Sequence, residues 1–491
     1  MAESVAVSVR RNAYVDSVTL LQVSSDVLSL PDVLDAALVM ATDLNRQVLD
    51  AAGLLVQDAQ TAGPNDLVIA VRAADAALAR SAAERAAASL ADRRASSGAS
   101  DGAVRVQPRS LRSAHRADPA ASLAVISVPG RFAAAEARQA LADGLHVFLF
   151  SDNVRLEDEV ELKQVARSQG LLVMGPDCGT AILNGVGLGF ANVVRRGRIG
   201  LVGASGTGLQ EVTSLLHQAG EGVSQAIGTG GRDLHADVGG ITSLSALELL
   251  RDDPGTEVII LVSKPPEQQV AERVLEAAAK TGKPVIACLL GSHAVARGGV
   301  QSASTLYQAA VLAAPSATAW ASMSPRDLPR QRSSQGQMQV RGLFCGGTLC
   351  EEAEAAFRTS GRMQYEFVDF GDDQYTQGRA HPMIDPTLRN HAIVEAGDDP
   401  RVAVLLLDVI LGLGSHADPA GATLPPVREA MARAEAAGRE LTVIARVVGT
   451  DRDPQGLTRQ EAALRSAGVH VLGSNYHAAL AARSLVDGVA V

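Results

Sequence analysis

Aromatic residues are scarce in this chain of 491 residues, where Phe, Trp and Tyr together make up 3% and Trp occurs once. Sequence-tolerant binding of single-stranded nucleic acid depends on aromatic faces that stack the bases, so the composition argues against that class of function. An excess of positive charge is also missing. Lys and Arg number 44 against 54 Asp and Glu, a net charge of −10, whereas a phosphate-backbone binder needs a basic face. The four cysteines, Cys178, Cys288, Cys345 and Cys350, are scattered and form no C-x-x-C pair with metal-ligand spacing. They read as reduced thiols, and no metal site is expected. No stretch reaches the roughly 18 to 20 uninterrupted apolar residues of a bilayer span. The first residues also lack a basic region leading into an apolar core, so the expected location is the cytoplasm, with no membrane partner.

Hydrophobic residues make up 47% and charged residues 20%, with Ala, Val, Leu and Gly prominent, which is a buried-core composition. The length suggests about three or four domains. Residues 5–9 and 67–71 pattern as strands and 74–90 as an Ala-rich helix. A polar stretch from Asp92 runs through a dilute basic patch to His115 and Arg116, and it reads as a surface linker in preference to a nucleic-acid arm. From Leu123 onward, apolar β-rich runs at 123–128, 147–150 and 171–174 alternate with helical patterns at 132–141 and 157–168. The rhythm returns with strands at 199–202, 225–227, 258–262 and 285–289, separated by helices at 243–251 and 267–281. A Pro/Ser/Arg-rich stretch from Pro325 breaks it, and strands at 340–344, 365–370, 402–407, 441–447 and 469–472 follow. This alternation predicts parallel sheets with helices on both faces, and ligands beyond the carboxyl ends of the strands.

The strand at 199–202 runs into Gly203-Ala-Ser-Gly-Thr-Gly208 and a helix near Leu209, with Glu211 in its first turns. Glycines let backbone approach a ligand, and helix N-terminal amides carry about half a positive charge, so Ser205, Gly206, Thr207 and Gly208 form a candidate phosphate cradle. The alternative is a tight strand-to-helix turn that binds nothing, since the spacing is not G-x-G-x-x-G. Gly412-Leu-Gly-Ser-His-Ala-Asp418 offers a second helix start, with Gly414 and Ser415 as phosphate ligands or else Ser415 or Asp418 as a plain cap. In Arg379-Ala-His-Pro-Met-Ile-Asp385-Pro, the prolines hold the chain extended. Arg379 could grip a planar carboxylate and His381 could move a proton, with Asp385 completing a catalytic set. The competing reading is a structural loop in which Asp385 caps a helix starting near Thr387. Arg232, Asp233 and Lys264 follow predicted strands and are substrate-binding candidates or surface ion pairs. Cys178 reads as a small buried residue rather than a nucleophile, because no histidine partner can be named.

Several motifs resemble the succinyl-CoA synthetase superfamily: Met174-Gly-Pro-Asp-Cys-Gly-Thr180, the Gly203–Gly208 turn, Gly228-Thr-Gly-Gly-Arg-Asp-Leu234, Phe367-Val-Asp-Phe-Gly371 and Asp408-Val-Ile-Leu-Gly-Leu-Gly-Ser415. Within it the chain resembles the FdrA family through Asn12-Ala-Tyr-Val-Asp-Ser-Val-Thr-Leu20, Val262-Ser-Lys-Pro-Pro266 and Gly378-Arg-Ala-His-Pro-Met-Ile-Asp-Pro-Thr-Leu-Arg-Asn390. The resemblance implies an α/β architecture of Rossmann-like and flavodoxin-like parallel-sheet domains of the succinyl-CoA synthetase type, with an N-terminal α+β segment. The expected division is 1–118 for that segment and linker, 119–196 for a partial Rossmann domain, 197–324 for a flavodoxin-like domain, 325–337 for a linker and 338–491 for a flavodoxin-like ligase-type domain.

Two departures bear on activity. The CoA ligases carry phosphate on a histidine in a Gly-His-Ala-Gly loop, whereas this chain reads Gly291-Ser-His-Ala-Val-Ala-Arg-Gly-Gly-Val-Gln-Ser302, with His293 several residues too early. The N-terminal segment has no CoA-receiving Gly-rich turn, and no ATP-grasp region is recognisable. CoA and ATP are therefore not expected on this chain, while phosphate or carbamoyl phosphate is expected as substrate and a Mg²⁺ requirement is left open. The function the resemblance implies is one subunit of a carbamoyltransferase, acting on oxalurate plus phosphate to give oxamate plus carbamoyl phosphate in allantoin breakdown, in a hetero-oligomer with further subunits. The alternatives are an ADP-forming acyl-CoA synthetase and a non-catalytic scaffold.

Overall fold

A computed structural model of the chain describes residues 3–13, 15, 17–28, 30–96, 108, 110–292, 298–320, 338–358, 364–376 and 379–487. It divides into two compact units, Met1–Gln107 with Asp372–Asp385, and Pro108–Gly371 with Pro386–Val491. His293 and the Pro/Ser/Arg-rich stretch from Pro325 lie outside the described residues.

In the first unit, β1 (Ser4–Arg10) and β2 (Val33–Met40) flank β3 (Leu67–Ala73), both antiparallel to it. The run Leu-Val-Ile-Ala-Val in β3 is apolar throughout because both its faces are covered. Leu67, Ile69 and Val71 pack with Leu20, Val23, Ala82, Ala86 and Leu90 of the helices Ser17–Leu28 and Ala76–Ser96. The alternate residues Val68 and Ala70 pack on the other side with Leu49, Leu54 and Ala59.

The second unit holds three sheets. In the first, β4 (Leu123–Ile126), β5 (His146–Leu149) and β6 (Val173–Met174) pair in that order. A seven-stranded sheet contains β7 (Thr180–Leu183), β8 (Val186–Gly189), β9 (Arg196–Ala204), β10 (Val223–Gly228), β11 (Val258–Ser263), β12 (Val285–Leu289) and β13 (Val300–Ser302), in the order β13-β12-β11-β9-β10-β7-β8. It is parallel except for the β7–β8 hairpin, which adds antiparallel to β10. Two strands of this sheet thus precede Gly197, where the sequence reading had put a domain start; each is only four residues long, too short for a period to show. The last sheet is wholly parallel: β14 (Gln339–Phe344), β15 (Gln364–Asp369), β16 (Val402–Ile410), β17 (Thr442–Val448) and β18 (His470–Leu472), in the order β15-β14-β16-β17-β18.

Both larger sheets reverse their direction of strand addition, around β9 in one and β14 in the other. Crevices form beyond the carboxyl ends of strands at such reversals. The helix Gly206–Gln218 leaves the end of β9, and the helix Gly347–Arg358 leaves the end of β14. No described helix is long and apolar enough to cross a membrane.

Candidate functional site

The two helix starts meet. Ser205 caps the first helix, its Oγ accepting from the Gly208 amide at 2.9 Å, and the same Oγ lies 2.6 Å from Thr348 Oγ1 at the start of the second. Gly346 permits this approach, because a Cβ there would stand 2.9 Å from the Thr207 side chain. The turn before the second helix is fixed from below. Asp408, at the end of β16, accepts from the amides of Cys345 and Gly346 at 2.8 Å each, and Arg389 donates to its Oδ1 at 3.1 Å. Burial raises the pKa of the Asp408 carboxyl, opposed by the Arg389 charge and these amides.

Lys264 follows β11, and its Nζ lies 3.8 Å from Oδ2 of Asp369, the last residue of β15. Gly347 leaves space for both, since a side chain there would run into the Asp369 carboxylate and the Lys264 ammonium. Gly206, Thr207, Gly347, Lys264 and Asp369 are each partly exposed, so this mouth is open to solvent. Two N-terminal dipole ends of about half a charge each and one ammonium make a local excess of positive potential, tempered by one carboxylate. Such a mouth can hold a small oxyanion.

The structure brings Ser205, Gly206, Thr207, Gly208 and Lys264 together and adds Thr348, which sequence reasoning had not singled out. It does not pair Ser205 with Gly414 and Ser415. A Cβ at Gly414 would lie 3.1 Å from the Phe190 ring, and the adjacent Leu413 amide bonds the Ala191 carbonyl. The helix Pro419–Ala436 that follows is capped by the Asp418 carboxylate, so an acid already occupies its N-terminus and its first residue, a proline, has no N–H to offer.

Arg232 and Asp233 are likewise structural. Arg232 donates to Glu159 at 2.9 Å and to the Val154 carbonyl at 2.8 Å. Asp233, fully buried, accepts from Lys163 Nζ at 2.8 Å, from the Ser243 hydroxyl at 2.6 Å and from the Thr242 and Ser243 amides. Burial works against the Lys163 charge, but Asp233 and Glu159 outweigh it and hold its pKa above the ordinary value. A carboxylate with its acceptor sites filled in this way has none for a substrate.

Arg379, His381 and Asp385 belong to the first unit. His381 Nδ1 accepts from the Met383 amide at 3.2 Å, and its carbonyl accepts from Ile384 and Asp385 in a tight turn. Asp385 does not cap the next helix, whose N-cap is Pro386 with no side-chain bond. Burial lowers the pKa of Arg379, with Asp385 opposing. Cys178 is buried, and burial pushes its thiol up to about 12, which keeps it protonated.

A buried polar network joins the two large sheets. Arg446, from the apolar strand β17, donates through Nε to Glu211 Oε2 at 2.9 Å, and Glu211 Oε1 accepts from the Asn475 amide at 2.9 Å. Asn475 Nδ2 donates to Glu352 Oε2 at 2.8 Å, while Glu352 Oε1 accepts from the Leu306 amide at 2.7 Å. A lone arginine in the run Thr-Val-Ile-Ala-Arg-Val-Val was the available signal, because a charge in a buried strand must find a partner. Burial pushes the Glu352 carboxyl up to about 7 and the His477 imidazole down to about 4.

The two titrations act in opposite directions. Glu352 binds its proton more tightly when folded, so its contribution to stability is complete below the ordinary value of 4.5 and is lost as pH rises through about 7. His477 contributes fully above 6.5 and loses that contribution as pH falls through about 4. Between pH 5 and 7.5 the stability difference between wild type and Glu352→Gln should therefore move by about 2 kcal/mol in favour of the variant. Urea unfolding at both pH values checks this, and a pH-independent difference would show that Glu352 does not titrate in that window.

Comparison with known proteins places this geometry in a class. Residues 343–485 match the family model described as CoA-ligase, 194–291 the CoA binding domain, and 1–106 the AllF heavy metal-associated domain. Among the described residues, no group of His, Cys, Asp or Glu is placed to hold a metal ion. The chain is 43% identical to the YahF protein of Escherichia coli K12, over 98% of this chain and 99% of that one. It is 32% identical to a mitochondrial succinate–CoA ligase [ADP-forming] subunit alpha-2 of Trichomonas vaginalis, over 36% of this chain and 59% of that one. It is 29% identical to SauD, an ADP-forming sulfoacetate–CoA ligase subunit of Bilophila wadsworthia, over 36% and 62%. The architecture is thus α/β of the succinyl-CoA synthetase type. The chain belongs to the family that contains YahF, within the succinyl-CoA synthetase-like superfamily. These matches overturn the expectation of a carbamoyl-transferring enzyme, since the family model and these relatives with a stated activity are CoA ligases. The matched region spans about three-fifths of those ligase subunits.

Proposed function

We propose that this chain is a subunit of a succinyl-CoA synthetase-like acyl ligase, in which the mouth at Ser205, Gly206, Thr207, Gly347 and Lys264 receives the phosphate that departs from a small acyl phosphate. The observation that carries this reading is the meeting of the two helix starts at Ser205 and Thr348 beside Lys264. When a nucleophile attacks the acyl carbon, the bond from that carbon to the bridging oxygen breaks, its electron pair moves onto the departing phosphate, and the proton the nucleophile gives up passes to that phosphate, which leaves as hydrogen phosphate. Donors and dipoles already aimed at that oxygen lower the barrier without having to reorganise. Ser205 and Thr348 fix the two helix starts against each other, and Lys264 supplies the mobile charge.

The thiol and nucleotide steps of such a ligase are assigned to partner subunits, because the N-terminal segment has no CoA-receiving Gly-rich turn, the loop after β12 departs from the phosphohistidine pattern and no ATP-grasp region is recognisable in the sequence, although residues 194–291 match the CoA binding domain. Within the superfamily, the motifs at Asn12 to Leu20 and Gly378 to Asn390 favour an FdrA-like placement.

Calorimetry on the purified chain tests the reading. Inorganic phosphate should bind, Lys264→Met should weaken it about tenfold, and neither CoA nor ATP should bind at micromolar concentration. Phosphate binding that is absent, or that is indifferent to Lys264→Met, would remove the mouth from the mechanism; micromolar CoA binding would return the thiol step to this chain.

A further inference from the structure

Asp369 is an unexpected neighbour for an anion. Its Oδ1 accepts from the Gly371 amide at 2.9 Å, which holds the carboxylate at the end of β15, and its Oδ2 lies 3.8 Å from Lys264 and against Gly347. Gly347 is the first residue of the helix Gly347–Arg358, so the carboxylate stands beside the amides that would receive the ligand. An ionised carboxylate offers only acceptors. Next to a fully ionised oxyanion it would place lone pair against lone pair and charge against charge.

An oxyanion that keeps a proton meets the same carboxylate differently, because its O–H can donate to Oδ2 in a charge-assisted hydrogen bond. We propose that Asp369 is a specificity-determining residue of this mouth for free anions, admitting the departed phosphate once it carries a proton, as hydrogen phosphate, and rejecting a free oxyanion that carries none, such as sulfate. The inference rests on the phosphoryl reading given above and deepens it. The dianion HPO4²⁻ and sulfate share size, shape and charge, so the helix dipoles and Lys264 cannot separate these two species. Discrimination between such look-alikes comes from a group that one partner satisfies and the other leaves repelled.

Calorimetry in chloride buffer at pH 7 with inorganic phosphate and with sulfate tests this on the full chain, alongside Asp369→Asn and Lys264→Met, each first shown to unfold as cooperatively as wild type. Wild type should prefer phosphate by at least about 100-fold. Asp369→Asn, whose amide can donate as well as accept, should bring the two affinities within about tenfold, mainly by admitting sulfate. Lys264→Met should weaken both anions and leave their ratio in place. Equal binding of both anions by wild type, or unchanged discrimination in Asp369→Asn, would overturn the role of Asp369 while leaving the phosphoryl site standing. Failure of wild type to bind either anion would overturn both.

Discussion

Phosphate affinity should fall by more than tenfold, a loss above about 1.4 kcal/mol, when either Gly206 or Gly347 is replaced by valine. The two replacements act from opposite helix starts. A side chain at Gly347 would run into Asp369 and Lys264, displacing the ammonium and filling the cradle. At Gly206 the first added carbon would meet Thr180 Oγ1 at 3.4 Å, a contact the fold can absorb, while the branched methyls would stand over amides that the anion must approach. Because one anion uses both ends, the double variant should lose much less than the sum of the singles. Gly414→Val is the control. Gly414 adopts φ of +75°, so the variant should be less stable, yet its folded fraction should bind phosphate within about twofold of wild type. Calorimetric titrations of wild type and these four variants decide the matter, and additive losses in the double variant would mean two separate sites.

Removal of Arg446 should cost about 3 to 5 kcal/mol of stability, because it strands the Glu211 carboxylate without its charge partner in a buried site. Both side chains are 1% exposed, and Glu211 also holds the Asn475 amide that leads to Glu352. Arg446→Met keeps the volume and removes the charge, so the loss would report the stranded carboxylate rather than a cavity. Adding Glu211→Gln should recover a large part of it. Urea unfolding at pH 7, with the slope checked for constancy, gives both numbers. A loss below about 1 kcal/mol for Arg446→Met would show that Glu211 finds protonation or another partner at little cost.

Much of the fold was legible because buried parallel strands are continuous apolar runs with turn residues at their ends. The runs at 258–262 and 285–289 became β11 (Val258–Ser263) and β12 (Val285–Leu289), with bounds within a residue of those read from the sequence. The hairpin β7–β8 escaped because its strands are short and β8 is glycine-bearing, and β2 because its exposure alternates irregularly on a sheet edge. At the site, Gly203 to Gly208 and Lys264 carried a chemical signal in their residue types. Thr348 did not, although Gly346-Gly347-Thr348 opens a helix after a strand just as Gly206 does. The sequence could not say which of two glycine-rich helix starts would face Ser205, since that depends on how the sheets pack. Gly414 and Ser415 were the second helix start chosen from the sequence, and Asp418 occupies the end of that helix.

Ser205 and Thr348 are 143 residues apart on a single polypeptide. Their encounter is therefore intramolecular, governed by an effective concentration that the connecting chain sets rather than by how much protein is present. Dilution cannot separate the two halves of the mouth. Its assembly is tied to folding of the chain itself, and only the steps assigned to partner subunits depend on their abundance.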